Sequence, residues 1–293
     1  IQDGCDYQCS YCTIPLARGK SRSPSVDSVI DSIKILIDKG VQEVVLTGVN
    51  IGDFGITENV KSRKSNFFNL LNQISHISDL KRLRISSIEP NLLNNDIIDL
   101  VSDCEKILPH FHIPLQSGSD TILKLMKRRY LREVYETRFD YIKEKIPNAC
   151  IGSDVIVGFP GEDDLEFTET YNFLKSIDIS YLHVFSYSER SNTSSISINN
   201  KVSKSVKNKR SKILRELSNS KKLEFYKKNI NNYHNVLFET ENKNGYIYGY
   251  TENYVRVKSL WSNSKQNKIL NCYLDGIDRD FNCIAEEAVE LKV

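Results

Sequence analysis

Three cysteines near the start of the chain have the residue type and spacing for metal chemistry. Cys5, Cys9 and Cys12 lie in Gly4-Cys5-Asp6-Tyr7-Gln8-Cys9-Ser10-Tyr11-Cys12, with three and then two residues between them. A short irregular loop can turn all three sulfurs toward one point. No fourth cysteine or histidine follows within reach. An iron–sulfur cluster usually takes four cysteine ligands, and a structural zinc site also wants four ligands. Three thiolates suggest a [4Fe–4S] cluster with one iron left open. The other readings are a zinc site with a remote fourth ligand, and free buried thiols.

The rest of the composition sets bounds. At 293 residues the chain can bury a substantial core, as one large domain or one plus a small one. Hydrophobic content of 40% and charged content of 27% are ordinary for a globular protein, and a net charge of +2 argues for no particular partner. No apolar run approaches membrane-spanning length, and no signal peptide is visible. Cys104, Cys150, Cys272 and Cys283 are scattered, which fits a reducing compartment and buried thiols, not a disulfide scaffold. The chain does not begin with Met, and Ile1-Gln2-Asp3 reads as the end of a strand. The expectation is that an N-terminal part of the natural protein precedes it.

The elements that must position the cysteines follow a repeating rhythm. Ser25 or Asp27 can cap a helix whose stripe is Val29, Ile30, Ile33, Leu36 and Ile37, ended by Gly40. A strand at 41–47 then breaks at Gly48–Gly52. Helices near 67–76, 92–104, 121–145 (broken near Tyr130) and 165–176 precede strands at 83–87, 109–115, 150–157 and 181–187. Strands alternating with helices predict a parallel sheet. The fold class is α/β. Counting the strand at the start, six βα units suggest an open, partial (β/α)6 TIM-like barrel, since eight would close one. The motif-like segments Cys5–Cys12, Gly48–Gly52, Ser86–Pro90, Gln116–Ser119, Gly158–Glu162 and Ser186–Thr193 fall at the C-terminal ends of these strands, where such barrels carry their sites.

From Asn199 to Asn229 there are eleven Lys or Arg against Glu216 and Glu224, with Val202, Val206, Ile213 and Leu217 at helical spacing. This reads as a surface helix packed by that stripe, or as one tracking phosphates. From Asn235 onward, short alternating strands with turn signals predict a small all-β barrel. The expected domains are residues 1–228 and 229–293.

Gly4-Cys5 to Cys12 followed by Ile14-Pro15 and Ala17-Arg18-Gly19 resembles the radical S-adenosylmethionine (radical SAM) methylthiotransferases. Thr47–Gly52, His112–Ser119 with Met126, Arg128 and Tyr130, and Asp154–Glu162 match further motifs of that family, and Gly249–Tyr254 resembles its C-terminal TRAM domain, an RNA-binding β-barrel. Leu83–Pro90 looks most like the branch acting on N6-threonylcarbamoyladenosine at position 37 of tRNA. The branches acting on isopentenyladenosine or on a ribosomal protein are the alternatives, as are a non-catalytic RNA-binding module and a radical SAM enzyme with a non-RNA substrate.

The resemblance implies a partial-barrel core with a [4Fe–4S] cluster on Cys5, Cys9 and Cys12 whose open iron binds S-adenosylmethionine. It implies a 5′-deoxyadenosyl radical that takes hydrogen from C2 of adenine, sulfur from a second [4Fe–4S] cluster in an N-terminal domain absent from this sequence, and methyl from another S-adenosylmethionine. Expected cofactor contacts are Tyr11, Gly48, Asn50, Gln116, Ser117, Asp154 and Phe159. Glu89 is read as a ligand contact or a helix-start carboxylate, and Arg128 as a partner for a carboxylate or a surface residue. No residue is assigned a catalytic role. Arg18, Lys20, Arg22, Tyr250 and Tyr254 are candidates for RNA. His110 and His112 share a strand face and are expected to be structural. The expected partners are a tRNA anticodon loop and an electron donor, with no membrane, and the protein is expected to be a cytoplasmic monomer. One departure is Ser188–Thr193, which lacks the proline and glycine usual in this loop.

Overall fold

The computed structural model describes residues 1–56 and 65–287. The first half alternates as expected: α1 (Ile14–Arg18), α2 (Val26–Asp38), β1 (Glu43–Leu46), α3 (Phe67–Ser75), β2 (Arg82–Ile85), α4 (Asn95–Asp103), β3 (His110–His112), α5 (Asp120–Leu125), α6 (Arg132–Lys145), β4 (Cys150–Val157), α7 (Asp164–Ser176) and β5 (Tyr181–Ser186). Side chains that accept from orphan backbone N–H groups set the helix starts. Ser25 caps α2, Asn66 caps α3, and Asp163 with Glu166 forms a capping box on α7. The fourth helix begins at Asn95 and not near Leu92, because the Asn94 side chain takes the Ile97 N–H.

β1 pairs with β2, and β3, β4 and β5 pair in that order, all parallel. Bridges at Gln2–Gly48, Leu83–Ile107 and Ser87–His112 join these pieces into one series of six strand positions in chain order. One strand face sends Val44, Leu46, Leu83, Ile85, Phe111, Ile151, Val155, Leu182 and Val184 into the helix-covered core. The other face carries Glu43, Arg82, Arg84, His110, His112, Asp154, Tyr181 and His183. That period of two is the strand's own. Among strands of a parallel sheet, one polar face signals a lined interior.

α8 (Lys204–Asn229) crosses to β6 (Tyr233–Phe238), β7 (Tyr246–Thr251), β8 (Arg256–Leu260), β9 (Ile269–Ile277) and β10 (Cys283–Glu287). These last five close into a barrel in the order β10-β8-β7-β6-β9, around Val236, Phe238, Ile247, Val257, Cys272 and Leu274. β8 starts at Arg256, because Tyr254 takes a positive φ of 70° in the preceding turn. The buried side of α8 is also displaced from the expected stripe. It consists of Arg210, Ser211, Leu214, Phe225, Tyr226 and Asn229. Arg210 lies inside because it donates to Glu162 Oε1 at 2.7 Å and Asp164 Oδ1 at 2.8 Å. Lys221 caps the end of α7 through Ile177 O at 2.7 Å. Part of the basic character of this helix is therefore structural.

The two halves meet through buried cations. Arg82 donates to the backbone of Tyr250 and Asn235, and Arg84 bonds Glu43 Oε1 at 2.8 Å and reaches Thr251 O and Glu252 O. Asn253 on the barrel side bonds Asn148 O at 3.1 Å and Asn229 Oδ1 at 2.6 Å. A groove of about 880 Å³ runs along this seam past Arg82, Glu105, Asn235 and Glu252, away from the cysteine loop.

Candidate cluster-binding site

The cysteine loop is tied down by its neighbours on both sides. Asp3 and Arg22 exchange backbone hydrogen bonds at 2.9 Å, and Cys5 N–H bonds Gly19 O at 3.0 Å. Gln2 bridges the start of the loop to β1's end, accepting from Asn50 N at 2.7 Å and donating to Ser21 Oγ at 2.8 Å. Ser10 anchors the middle, with its N–H on Met126 O at 3.0 Å and its hydroxyl on Leu125 O at 2.8 Å. The loop therefore rests on the end of α5, at the mouth of the strands.

Each sulfur receives a donor. Tyr7 N–H points at Cys5 Sγ and Ile14 N–H at Cys12 Sγ, both at 3.4 Å, and Arg128 Nη1 lies 3.0 Å from Cys9 Sγ. Such N–H···S contacts tune cluster sulfurs. Burial pushes the Cys5 thiol up to about 11 and also raises Cys9, partly opposed at Cys9 by Arg128. Thiols so placed ionise when they ligate a metal. The donor set fits an iron–sulfur cluster.

Arg128 joins the loop to the strand ends. It donates to Glu89 and lies 3.3 Å from Tyr11 Oη. The carboxylate partner left open in the sequence is thus Glu89, on the loop after β2. Burial raises the Glu89 carboxyl, and the Arg128 guanidinium pulls against that.

The other expected cofactor residues fall into three groups. Gly48 and Asn50 lie beside the loop. A Cβ at Gly48 would come within 2.8 Å of Gln2 O. Asn50 is buried and donates to Asp53 Oδ2 at 2.9 Å, while its Oδ1, like Asn91 Oδ1, has no partner among the described residues. Buried acceptors of this kind fit a ligand bearing N–H groups. Tyr11, Phe159 and Ser117 are packed inward. Tyr11 meets the fully buried Phe159 edge-on at 6.2 Å, and Ser117 Oγ is 3.2 Å from Thr170 Oγ1 of α7. Gln116, at φ 67°, bridges Val155, and Asp154 lies deeper in the half-barrel.

From the sequence, His110 and His112 read as structural, and His183 and Tyr181 carry no signal of a site. His112 Nε2 lies 2.9 Å and His183 Nδ1 3.3 Å from Asp154 Oδ1. Tyr181 Oη lies 2.9 Å from His110 Nε2 and 3.3 Å from His112 Nδ1. The two histidines hold Asp154 below the usual carboxylate range against the effect of burial, which also keeps His110 neutral. The period-two spacing of His110 and His112 was the available signal.

Of the residues proposed for RNA, Arg18 and Lys20 are exposed beside the loop, while Arg22 pairs with Asp3. Tyr250 and Tyr254 stack on each other at 4.6 Å, and Tyr254 stacks on His110 at 4.2 Å. This pair sits at the seam between the halves. Tyr233 and Tyr246 are the more open barrel aromatics.

The profile of the radical SAM superfamily matches residues 1–174. The chain belongs to the radical SAM superfamily. Within it, the chain is 41% identical over 258 residues to the threonylcarbamoyladenosine tRNA methylthiotransferase MtaB of Aquifex aeolicus (strain VF5), covering 88% of this chain and 60% of that protein. It is 35% identical over 250 residues to the tRNA-2-methylthio-N(6)-dimethylallyladenosine synthase of Hydrogenobaculum sp. (strain Y04AAS1), covering 84% and 56%. The chain thus spans about six-tenths of the curated relatives it matches. Coproporphyrinogen III oxidase (HemN) from Escherichia coli, a radical SAM enzyme, shares the fold with a TM-score of 0.51 at 14% identity, over 75% of this chain and 51% of that one. No helix among the described residues is long and apolar enough to cross a membrane.

Proposed function

We propose that the chain acts as a radical SAM tRNA methylthiotransferase, adding a methylthio group to C2 of N6-threonylcarbamoyladenosine at position 37. The observation that carries this reading is the cysteine loop, seated at the mouth of the parallel strands with one hydrogen-bond donor on each sulfur. The 41% identity to a threonylcarbamoyladenosine enzyme supports the choice of substrate over the dimethylallyl nucleoside.

In this reading Cys5, Cys9 and Cys12 hold a [4Fe–4S] cluster. With S-adenosylmethionine bound, it supplies one-electron chemistry able to remove hydrogen from an unactivated C–H carbon. Arg128 offsets the negative charge at Cys9, and Glu89 holds Arg128 in place. Asn50 and Asn91 present acceptors to the amino group of the cofactor. Tyr11 and Phe159 close the site from beneath against water. Gln116 and Asp154 face the nucleoside from the half-barrel. Arg18, Lys20 and exposed barrel aromatics meet the phosphates and bases of an anticodon loop, whose unpaired nucleotides can be splayed into a pocket. The reaction also needs an electron donor and a sulfur source, for which the reading names a second [4Fe–4S] cluster. Division into a catalytic part up to residue 228 and an RNA-binding barrel from 229 belongs to the same proposal.

The test is electron paramagnetic resonance on anaerobically reconstituted, dithionite-reduced protein, with and without S-adenosylmethionine. It is followed by nucleoside mass spectrometry of tRNA bearing either modified adenosine, with inorganic sulfide supplied as the sulfur source. A [4Fe–4S]⁺ signal that changes with S-adenosylmethionine, and a methylthio product from the threonylcarbamoyl tRNA, are expected. Product from the dimethylallyl tRNA alone would overturn the substrate. A protein that binds only zinc would overturn the enzyme.

A further inference from the structure

His112 from β3, Asp154 from β4 and His183 from β5 place one ligand atom each within 4.8 Å of one another, the one such set among the described residues. Their closest separations, 2.9 and 3.3 Å, match those between neighbouring ligands around a first-row cation with bonds of about 2.1 Å. Both imidazoles aim at the same carboxylate oxygen, Oδ1. One carboxylate oxygen has room for two partners, and ligands to one ion converge on a point in the same way.

The surroundings are those of a metal site. His112 turns its other nitrogen, Nδ1, to Tyr181 Oη at 3.3 Å, and that hydroxyl is backed by His110 Nε2 at 2.9 Å. A partner on the second nitrogen is the usual way to fix the tautomer and ring plane of a ligating histidine. Tyr181 reaches this position because residue 152 is glycine. A Cβ there would lie 2.1 Å from the Tyr181 ring. His112 is buried and His183 is exposed, so the set is anchored on one side and open to exchange on the other.

We infer that His112, Asp154 and His183 form a binding site for a divalent transition cation such as Zn²⁺, separate from the cysteine loop. Two imidazoles and one carboxylate are the donor set of a three-ligand site with open positions. Those positions face the concave side of the half-barrel, where water or an anionic oxygen of a bound molecule would complete the coordination.

The test is Co²⁺ titration of the intact, reduced chain under anaerobic conditions, followed by absorption. Thiolate-bound Co²⁺ shows intense near-ultraviolet charge transfer, whereas an imidazole and carboxylate site shows only weak visible bands. We expect both signatures in the natural chain. His183→Ala, at an exposed position that the fold does not need, should lose the weak bands while the thiolate signal stays. Tyr181→Phe should weaken the same site about tenfold. Equal Co²⁺ uptake and unchanged visible bands in His183→Ala, or thiolate signals alone in the natural chain, would overturn the inference.

Discussion

Cys5, Cys9 and Cys12 reach their places along one continuous loop, whereas His112, Asp154 and His183 come from three separate strands. The loop has little side-chain core of its own. It is held by backbone bonds at Cys5 and Ser10 and by the Arg128 bridge. The histidine set stands on paired strands whose opposite faces are buried. Removing a loop ligand should therefore cost chemistry and spare the fold, whereas overpacking the buried part of the strand set should cost stability.

The largest expected effect tests the first half of that contrast. Cys9→Ala should lower iron and acid-labile sulfide after anaerobic reconstitution to near zero, with far-ultraviolet circular dichroism and melting temperature close to those of the natural chain. Iron content near normal would break the ligand assignment. A collapsed fold would show that the loop is more deeply built into the core than its burial indicates.

Arg128 lies between the two modes of construction. Arg128→Gln leaves the Glu89 carboxylate buried without its cation, and removing one member of a buried pair costs about 3–5 kcal/mol. Chemical denaturation should show a loss of that size. Adding Glu89→Gln should recover much of it while cluster retention stays impaired, because the donor to Cys9 Sγ is still missing.

For the strand set, Gly152→Ala forces the Tyr181 ring away from His110 and His112. Overpacking of this kind costs about 1–3 kcal/mol. Stability should fall by that amount with the iron content of the reconstituted protein unchanged. A loss of iron instead would mean that the loop depends on the histidine face.

The same contrast explains what could be read in advance. Cysteine ligands adjacent in sequence announce themselves by spacing, and the βα rhythm places them at strand ends. The half-barrel, the closed barrel and the helix boundaries at Ser25 and near Tyr130 were legible because caps, glycines and apolar periods are local signals. The histidine set was not, since its members are separated by whole βα units and only the register of β3, β4 and β5 brings them level. Arg210 misled for a related reason. A cation on a basic helix reads as solvated until its buried partner, Glu162, is placed beside it. Tyr254 is an RNA candidate by residue type alone, and its positive φ, which puts it in a turn against His110, has no signal in the sequence.

The smallest expected effect separates loss of cluster from loss of fold in acid. Asp278, in the turn between β9 and β10, accepts from Asn282 N at 2.8 Å, Asp280 N at 2.9 Å and Lys258 Nζ at 3.3 Å. Burial raises its carboxyl, but these donors outweigh burial and hold it below the ordinary value of 3.8. A carboxyl depressed in the folded state stabilises the fold fully above its unfolded pKa, and that contribution is lost as pH falls through the folded value. Asp278→Asn should therefore lower stability by about 1 kcal/mol at neutral pH, with the difference from the natural chain shrinking below about pH 4. Monitored together with iron release, it shows which event comes first. If iron leaves the natural chain and the variant at the same pH while their melting curves differ, acid acts on the cysteine loop directly. If release tracks the stability of each protein, the small barrel is part of what holds the loop in place.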